Sequence, residues 1–217
     1  MIIKHKKSLS KLNTFGVNCV AENFINIKKD QDIKDTIKHL KNTHQPHFIL
    51  GGGSNILLTK NIKGVVLFNQ INGISIVKET PEHVVIKIGS GEIWHNVVKW
   101  SIKNKLWGIE NLILIPGTAG AAPIQNIGAY GVEIKDVLLN VTGFDLLTGE
   151  KKVFNNQECK FEYRNSIFKS RLKEKTIITR VEFKLSKKPL NKTTYGAIEK
   201  ELDNLNLNPS PKNIADA

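Results

Sequence analysis

Pro116-Gly117-Thr118-Ala119-Gly120-Ala121-Ala122-Pro123-Ile124-Gln125-Asn126-Ile127-Gly128-Ala129-Tyr130-Gly131 decides the reading of this chain. The stretch is glycine-rich and uncharged, so it fits neither an ordinary helix nor a strand. Glycine opens backbone conformations closed to other residues and lets main-chain N–H groups approach a ligand closely. The ligand this implies is large, planar in part and anionic in part. A second cluster, Gly51-Gly52-Gly53-Ser54-Asn55, follows His47-Phe48-Ile49-Leu50 and precedes Ile56-Leu57-Leu58, which places it in a loop between two strands. Alone it is a tight turn or a backbone nest for phosphate. It lacks the Gly-Lys-Ser/Thr of a P-loop, and no amphipathic helix begins directly after it as the Rossmann fingerprint requires. Paired with the longer loop, it reads as one half of a dinucleotide cradle.

Further motifs flank the two loops in a fixed order: Asn13-Thr14-Phe15-Gly16, Gly89-Ser90-Gly91-Glu92-Ile93-Trp94-His95, Glu110-Asn111-Leu112, Tyr163-Arg164-Asn165-Ser166-Ile167-Phe168 and Thr194-Tyr195-Gly196. Together these resemble the UDP-N-acetylenolpyruvoylglucosamine reductase family, FAD enzymes of peptidoglycan precursor synthesis, over nearly all 217 residues. Thr194-Tyr195-Gly196 resembles the subclass with an extra tyrosine loop over the substrate. The resemblance implies an α+β, two-subdomain FAD-binding fold of the vanillyl-alcohol oxidase/PCMH type. Residues 1–68 are expected to form the first subdomain, 69–188 the second, and 189–217 the tyrosine loop and the start of a connection onward. Family members continue into a C-terminal substrate domain that supplies a serine proton donor and a glutamate. Neither motif occurs here, so the chain is expected to be the FAD-binding part with that domain missing, and inactive alone. Ser210 and Pro211 also announce a helix that stops at Ala217.

The activity implied by the resemblance is NADPH-dependent, FAD-mediated reduction of UDP-N-acetylglucosamine enolpyruvate to UDP-N-acetylmuramate. That places the protein in the cytoplasm, as a monomer, in cell wall biogenesis, cell shape, cell cycle and cell division. For noncovalent FAD the resemblance assigns Gly51, Gly52, Gly53, Ser54 and Asn55 to the diphosphate, with Pro116, Gly117 and Thr118 approaching the same region. Gln125, Asn126, Ile127, Gly128 and Tyr130 approach the flavin half, and Ala121 and Ala122 stand where other members carry hydroxyls. Arg164 is implied as the catalytic and substrate-binding cation that stabilises a developing carboxylate or enolate, and Tyr195 as a second substrate contact. Without the resemblance, a lone arginine reads as half of an ion pair. Asn165 replaces the aspartate expected after that arginine, leaving a neutral amide to orient the guanidinium. The alternative function is a flavin-binding module without reductase activity.

Composition narrows the other classes. A chain that is 40% hydrophobic and 24% charged is ordinary for a globular protein, and no run approaches the roughly 18 apolar residues of a membrane span. The net charge of +12 raises nucleic acid as a partner. The cations are almost all lysine, however, spread without a basic block, and arginine is the residue that reads base edges. No nucleic-acid partner is therefore expected. Cys19 and Cys159 read as buried free thiols, and the scattered histidines form no metal site. His83 reads as solvated in a turn, and His95 as a packed, hydrogen-bonded imidazole.

Periodicity places a strand over 21–27, then a helix capped by Asp30 with Ile33, Ile37 and Leu40 on one face, and strands at 47–50 and 64–68: a βαββ unit. Strands follow at 74–77 and 84–88, and a helix over 93–103 has Ile93, Val97 and Trp100 on one face and Trp94, Val98 and Ile102 beside it, a breadth that predicts burial on more than one side. After the long loop come strands at 135–145, 151–154 and 176–185, with Thr148-Gly149 as a hairpin turn.

Overall fold

The computed structural model of the chain describes residues 1–190, 192–193 and 198–217. Its N-terminal part runs β1 (Ile3–Ser8), β2 (Val20–Ile27), α1 (Asp30–Thr43), β3 (His47–Leu50) and β4 (Ile62–Asn69). The strands lie in the order β1-β2-β4-β3. Strand β4 pairs in parallel with both β2 and β3, and its Val65, Val66 and Leu67 are fully buried. An unbroken apolar run is what a strand covered on both faces requires. The expected βαββ unit is present, with β1 added at its edge. Ile-Lys-His-Lys-Lys-Ser has no apolar alternation to betray it, and its lysines suit an edge strand that must not pair with another chain.

Helix α1 buries Ile33, Thr36, Ile37 and Leu40, the face its periodicity predicts with one threonine added. Its N-terminus differs from expectation. Asp30 is the first helical residue, and Asp32 supplies the cap by accepting from the N–H groups of Lys28 at 2.9 Å and Lys29 at 3.1 Å. Asp30 is thereby free to bond Arg180 at 2.7 Å and Lys151 at 2.8 Å.

The second sheet is antiparallel throughout. It is built from β5 (Ile74–Glu79) and β6 (His83–Gly89), then, after α2 (Trp94–Lys103) and the small hairpin β7 (Gly128–Ala129) with β8 (Val132–Glu133), from β9 (Leu138–Asp145), β10 (Lys151–Asn155) and β11 (Thr176–Ser186). The order is β10-β9-β11-β6-β5. Strand β9 starts later than expected because Ile134–Asp136 winds into a 3-10 turn. Helix α2 buries Trp94, Val97, Val98 and Ser101, while Ile93 stays 55% exposed ahead of the helix. Its contact is thus a single stripe with Trp100 and Ile102 half-buried at the margin, narrower than the two faces predicted. Trp94 donates its indole N–H to the Leu112 carbonyl at 2.8 Å and meets Phe183 edge-on.

A bulge in β11 between Ile178 and Arg180 lets one strand serve two cores. Ile177 joins Phe144 in packing against Ile25, Ile27, Val65, Leu67 and α1, whereas Ile178, Val181, Phe183 and Leu185 face the core under α2. The two sheets therefore share buried apolar surface. Near the C-terminus, α3 (Ile198–Asn204) and α4 (Pro211–Asp216) pack Ile198, Leu202 and Ile214 on Trp107. Ser210 caps α4 as its sequence predicts, accepting from Asn213 N–H at 3.0 Å. No helix among the described residues is long and apolar enough to cross a membrane.

Asp30 gives the fold a testable pH dependence. Partial burial raises its pKa, but the bonds to Lys151 and Arg180 outweigh that and hold it below the ordinary carboxylate value. A depressed folded pKa contributes stability at neutral pH that is lost as pH falls through it. Asp30→Asn is expected to lower stability at pH 7 by about 1 kcal/mol, given how exposed the three side chains are, a melting shift of about 2–4 °C. The difference from wild type should shrink as pH falls below about 4. A gap that persists unchanged at pH 3 in thermal melts would refute it.

Candidate functional site

The two glycine loops meet across a cavity of about 330 Å³. One wall is Gly51 to Asn55, where the chain leaves β3, and the facing wall is Pro116, Gly117, Thr118, Gly120, Ala121 and Ala122. Backbone meets backbone at their contact. A Cβ on Gly52 would lie 3.3 Å from the Gly117 Cα, and one on Gly51 would lie 3.1 Å from the Thr118 hydroxyl. A Cβ at either point would be tight enough that its neighbour must give by a few tenths of an ångström.

Each loop is held from behind. Gly53 sits at φ +68° with the Leu12 carbonyl oxygen 2.0 Å from where a Cβ would be, and its own carbonyl accepts from Thr14 N–H at 3.1 Å. Asn13 closes the turn that does this, bonding Leu9 and Val17 through both ends of its amide. The Asn13–Gly16 motif is therefore a backing plate for the first loop. The second loop docks on the Gly89–Trp94 turn: Gly120 N–H donates to Ser90 O, Ala119 N–H to Glu92 O, and Trp94 N–H to Gly117 O. A Cβ on Gly120 would come within 2.5 Å of the Ser90 Cβ. The loops are also tied to each other, because Asn55 donates to Gln125 at 2.9 Å.

Among the described residues, the backbone N–H groups of Gly52, Gly53, Ser54, Asn55, Gly117 and Thr118 donate to no protein acceptor. Successive free N–H groups on a concave backbone form an anion nest. Beside it the cavity is apolar, walled by Phe48, Trp94, Ile127, Phe168 and Ile178. Lys169, Lys173 and Glu174 stand at the same cavity. Unbonded backbone N–H groups beside an apolar, aromatic-walled cavity supply the chemistry that an anionic ligand with a planar ring requires.

Gly51 to Asn55, Pro116, Gly117, Thr118, Ala121, Ala122, Gln125 and Ile127 all line the cavity, whereas Asn126, Gly128 and Tyr130 do not. Asn126 is fully buried, and its amide donates to Glu162 O at 3.0 Å and accepts from Lys135 N–H at 3.2 Å, so its side chain serves the loop. Arg164 lies behind the same loop, bonded to the Gly128 carbonyl and reaching Asn126 O at 3.5 Å. It makes no ion pair among the described residues, and Asn165 donates to Glu162 instead of orienting it. Tyr195 lies outside the described residues. Phe48 and Ile178 were missed as wall residues because an apolar strand residue reads as core; Lys173 and Glu174 carry no sequence signal at all.

Glu110 and Asn111 serve the surrounding backbone. Burial raises the pKa of Glu110, although its carboxylate accepts from Gly108 N–H at 2.6 Å, and Asn111 ties Tyr130 O to Lys192 O. Cys19 and Cys159 are buried and free as expected, with burial pushing the Cys159 thiol up to about 12. His95 departs from expectation: its Nδ1 is buried without a hydrogen-bond partner.

The FAD binding domain family matches residues 21–155. The UDP-N-acetylenolpyruvoylglucosamine reductase of Bdellovibrio bacteriovorus is 42% identical over 217 residues, all of this chain and 65% of its own length. The chain thus spans just under two thirds of that relative. Among solved structures, the UDP-N-acetylenolpyruvylglucosamine reductase of Thermus caldophilus superposes with a TM-score of 0.68 at 26% identity, over 87% of this chain and 64% of its own. A VAO-type flavoprotein of Myceliophthora thermophila shares the fold, with a TM-score of 0.55 at 15% identity over 78% of this chain and 32% of its own.

The loop geometry separates two glycines that look alike in sequence. Both Gly53 and Gly16 have positive φ, yet nothing lies within 4 Å of a Cβ on Gly16. Gly16→Ala is expected to cost about 1–2 kcal/mol for left-handed backbone. Gly53→Ala adds an overpacking cost of about 1–3 kcal/mol. Urea unfolding of the two variants measures this, and equal costs would contradict the close approach at Leu12.

Proposed function

We propose, from the premise that this chain belongs to the FAD binding domain family, that it is the FAD-holding part of a reductase acting on UDP-N-acetylglucosamine enolpyruvate with NADPH as reductant. The observation that carries the reading is the set of N–H groups without protein acceptors at residues 52–55 and 117–118, on two loops that line one cavity with an aromatic wall. The relatives' names supply the reaction, which would yield UDP-N-acetylmuramate. Within the chain we assign residues 1–68 and 69–188 to the two halves of the cofactor domain. The first sheet ends with Asn69 and the second begins with Ile74, which supports that division.

FAD, when bound, supplies the route for electrons from NADPH to the carbon–carbon double bond. The residues present do the holding. The nest at Gly52 to Asn55, with Gly117 and Thr118 opposite, takes the diphosphate through its unbonded backbone N–H groups. Ala121, Ala122 and Ile127 offer backbone and apolar contact on the facing loop. A noncovalent attachment is proposed, in keeping with a cavity lined among the described residues by no histidine or cysteine. Arg164 offers its guanidinium to the substrate carboxylate, where a planar fork suits an anion better than an ammonium does.

The purified chain is expected to take up FAD, turn yellow, and release the flavin in acid. A folded chain that takes up no FAD would overturn the proposal. Turnover is the second measurement. Oxidation of NADPH that depends on the enolpyruvyl sugar should run at least about 10²-fold slower than in a full-length relative, the size of one lost general acid. Equal rates would show that every catalytic group lies within these 217 residues.

A further inference from the structure

Three alternate carbonyls of the second glycine loop are held by one short segment. Ser166 donates its hydroxyl to Ile124 O at 2.8 Å, and Arg164 donates to Asn126 O at 3.5 Å and to Gly128 O. Contact runs in the other direction as well, since the Asn126 amide donates to Glu162 O at 3.0 Å. The segment is itself a tight turn. Glu162 and Asn165 exchange backbone hydrogen bonds at 3.1 and 3.2 Å, and Arg164 between them is left-handed at φ +53°. Lys169 fixes the turn by donating to Arg164 O at 2.9 Å.

The clasp bears on the cavity. Ile127, which lines it, lies between the two residues whose carbonyls Arg164 holds. Gly128 is required at its position because a Cβ there would lie 3.1 Å from the Arg164 guanidinium and 2.8 Å from the Val132 carbonyl oxygen. Asn126 and Tyr130 have positive φ, at +43° and +49°, conformations that need support from outside the loop. A guanidinium has five N–H donors in a rigid fork. Two of them serve the loop, and the guanidinium lies 5.5 Å from the Tyr163 ring centroid.

We infer that Arg164 is the positioning residue of the cofactor loop: by holding the carbonyls on either side of Ile127 it fixes a wall of the cavity on which cofactor affinity depends. The consequence for cofactor affinity rests on the flavin reading above; the clasp itself does not.

Amide hydrogen exchange on the FAD-free chain tests the clasp directly. Arg164→Ala is expected to speed exchange at residues 126–129 by about tenfold, the loss of one net hydrogen bond to a charged donor, with β6 and β11 unchanged. Titration with FAD should show a Kd raised by about tenfold in Arg164→Ala and by less in Arg164→Lys, which keeps a charge and a donor. Unchanged exchange at 126–129 overturns the clasp whatever FAD does. If wild-type chain takes up no FAD, the flavin reading falls and the exchange data alone decide the clasp.

Discussion

The contact of Gly52 with Gly117 sets the terms for the rest of the structure. Two loops from different sheets approach until a single Cβ would stand against the opposite main chain. Such an approach leaves backbone N–H groups without protein partners, a state that costs free energy wherever water is excluded. The surrounding motifs hold the loops in that arrangement from behind. Asn13 closes a turn under Gly53, Ser90 and Glu92 accept from the second loop, and the Tyr163–Phe168 segment grips its alternate carbonyls. Most of these side chains sit behind the loops and shape the site by fixing a backbone that would otherwise collapse or open.

That division explains what the sequence disclosed. Glycine clusters are conspicuous because few other folds tolerate them, so both loops and most of their cavity residues were legible. Helix faces and the central strands were legible from periodicity. What stayed hidden depended on the tertiary partner. Strand β1 has no apolar period because it lies at an edge, and Asp30 looked like a cap because its ion partners, Lys151 and Arg180, come from far along the chain. Asn126 sits in a stretch that lines a cavity, yet its side chain turns the other way to satisfy buried backbone. A residue's type gives its chemistry; only packing decides which side of a loop receives it.

The charge distribution follows the same logic. With a net charge of +12, the chain is dominated by lysine, and most of that charge lies on the solvated surface. Two of its few arginines stand at joints: Arg180 ties β11 to the N-terminus of α1, and Arg164 ties two loops. At Arg164 two nitrogens of the planar fork meet two carbonyls, a use that lysine's single ammonium does not reproduce. The Lys151–Asp30–Arg180 group spans the same pair of sheets whose shared core includes Ile177 and Phe144. The cavity lies between those sheets, so any loosening of their relative placement would reach it.

Strained backbone also occurs around the second loop. Leu114, Asn126, Tyr130 and Arg164 are four of the ten non-glycine residues with positive φ among the described residues. Arg164 donates to Asn126 O while the Asn126 amide donates to Glu162 O, so the loop and the Glu162–Asn165 turn hold each other. Strained backbone persists only where surroundings over-determine it, and it tends to collect at ligand clamps. A loop built this way has one well-defined shape, and it presents free N–H groups where an anion must be met by a preformed surface. The positive φ values, the glycine contact and the clasp are therefore one device, in which a costly backbone conformation is kept fixed so that ligand binding does not have to impose it.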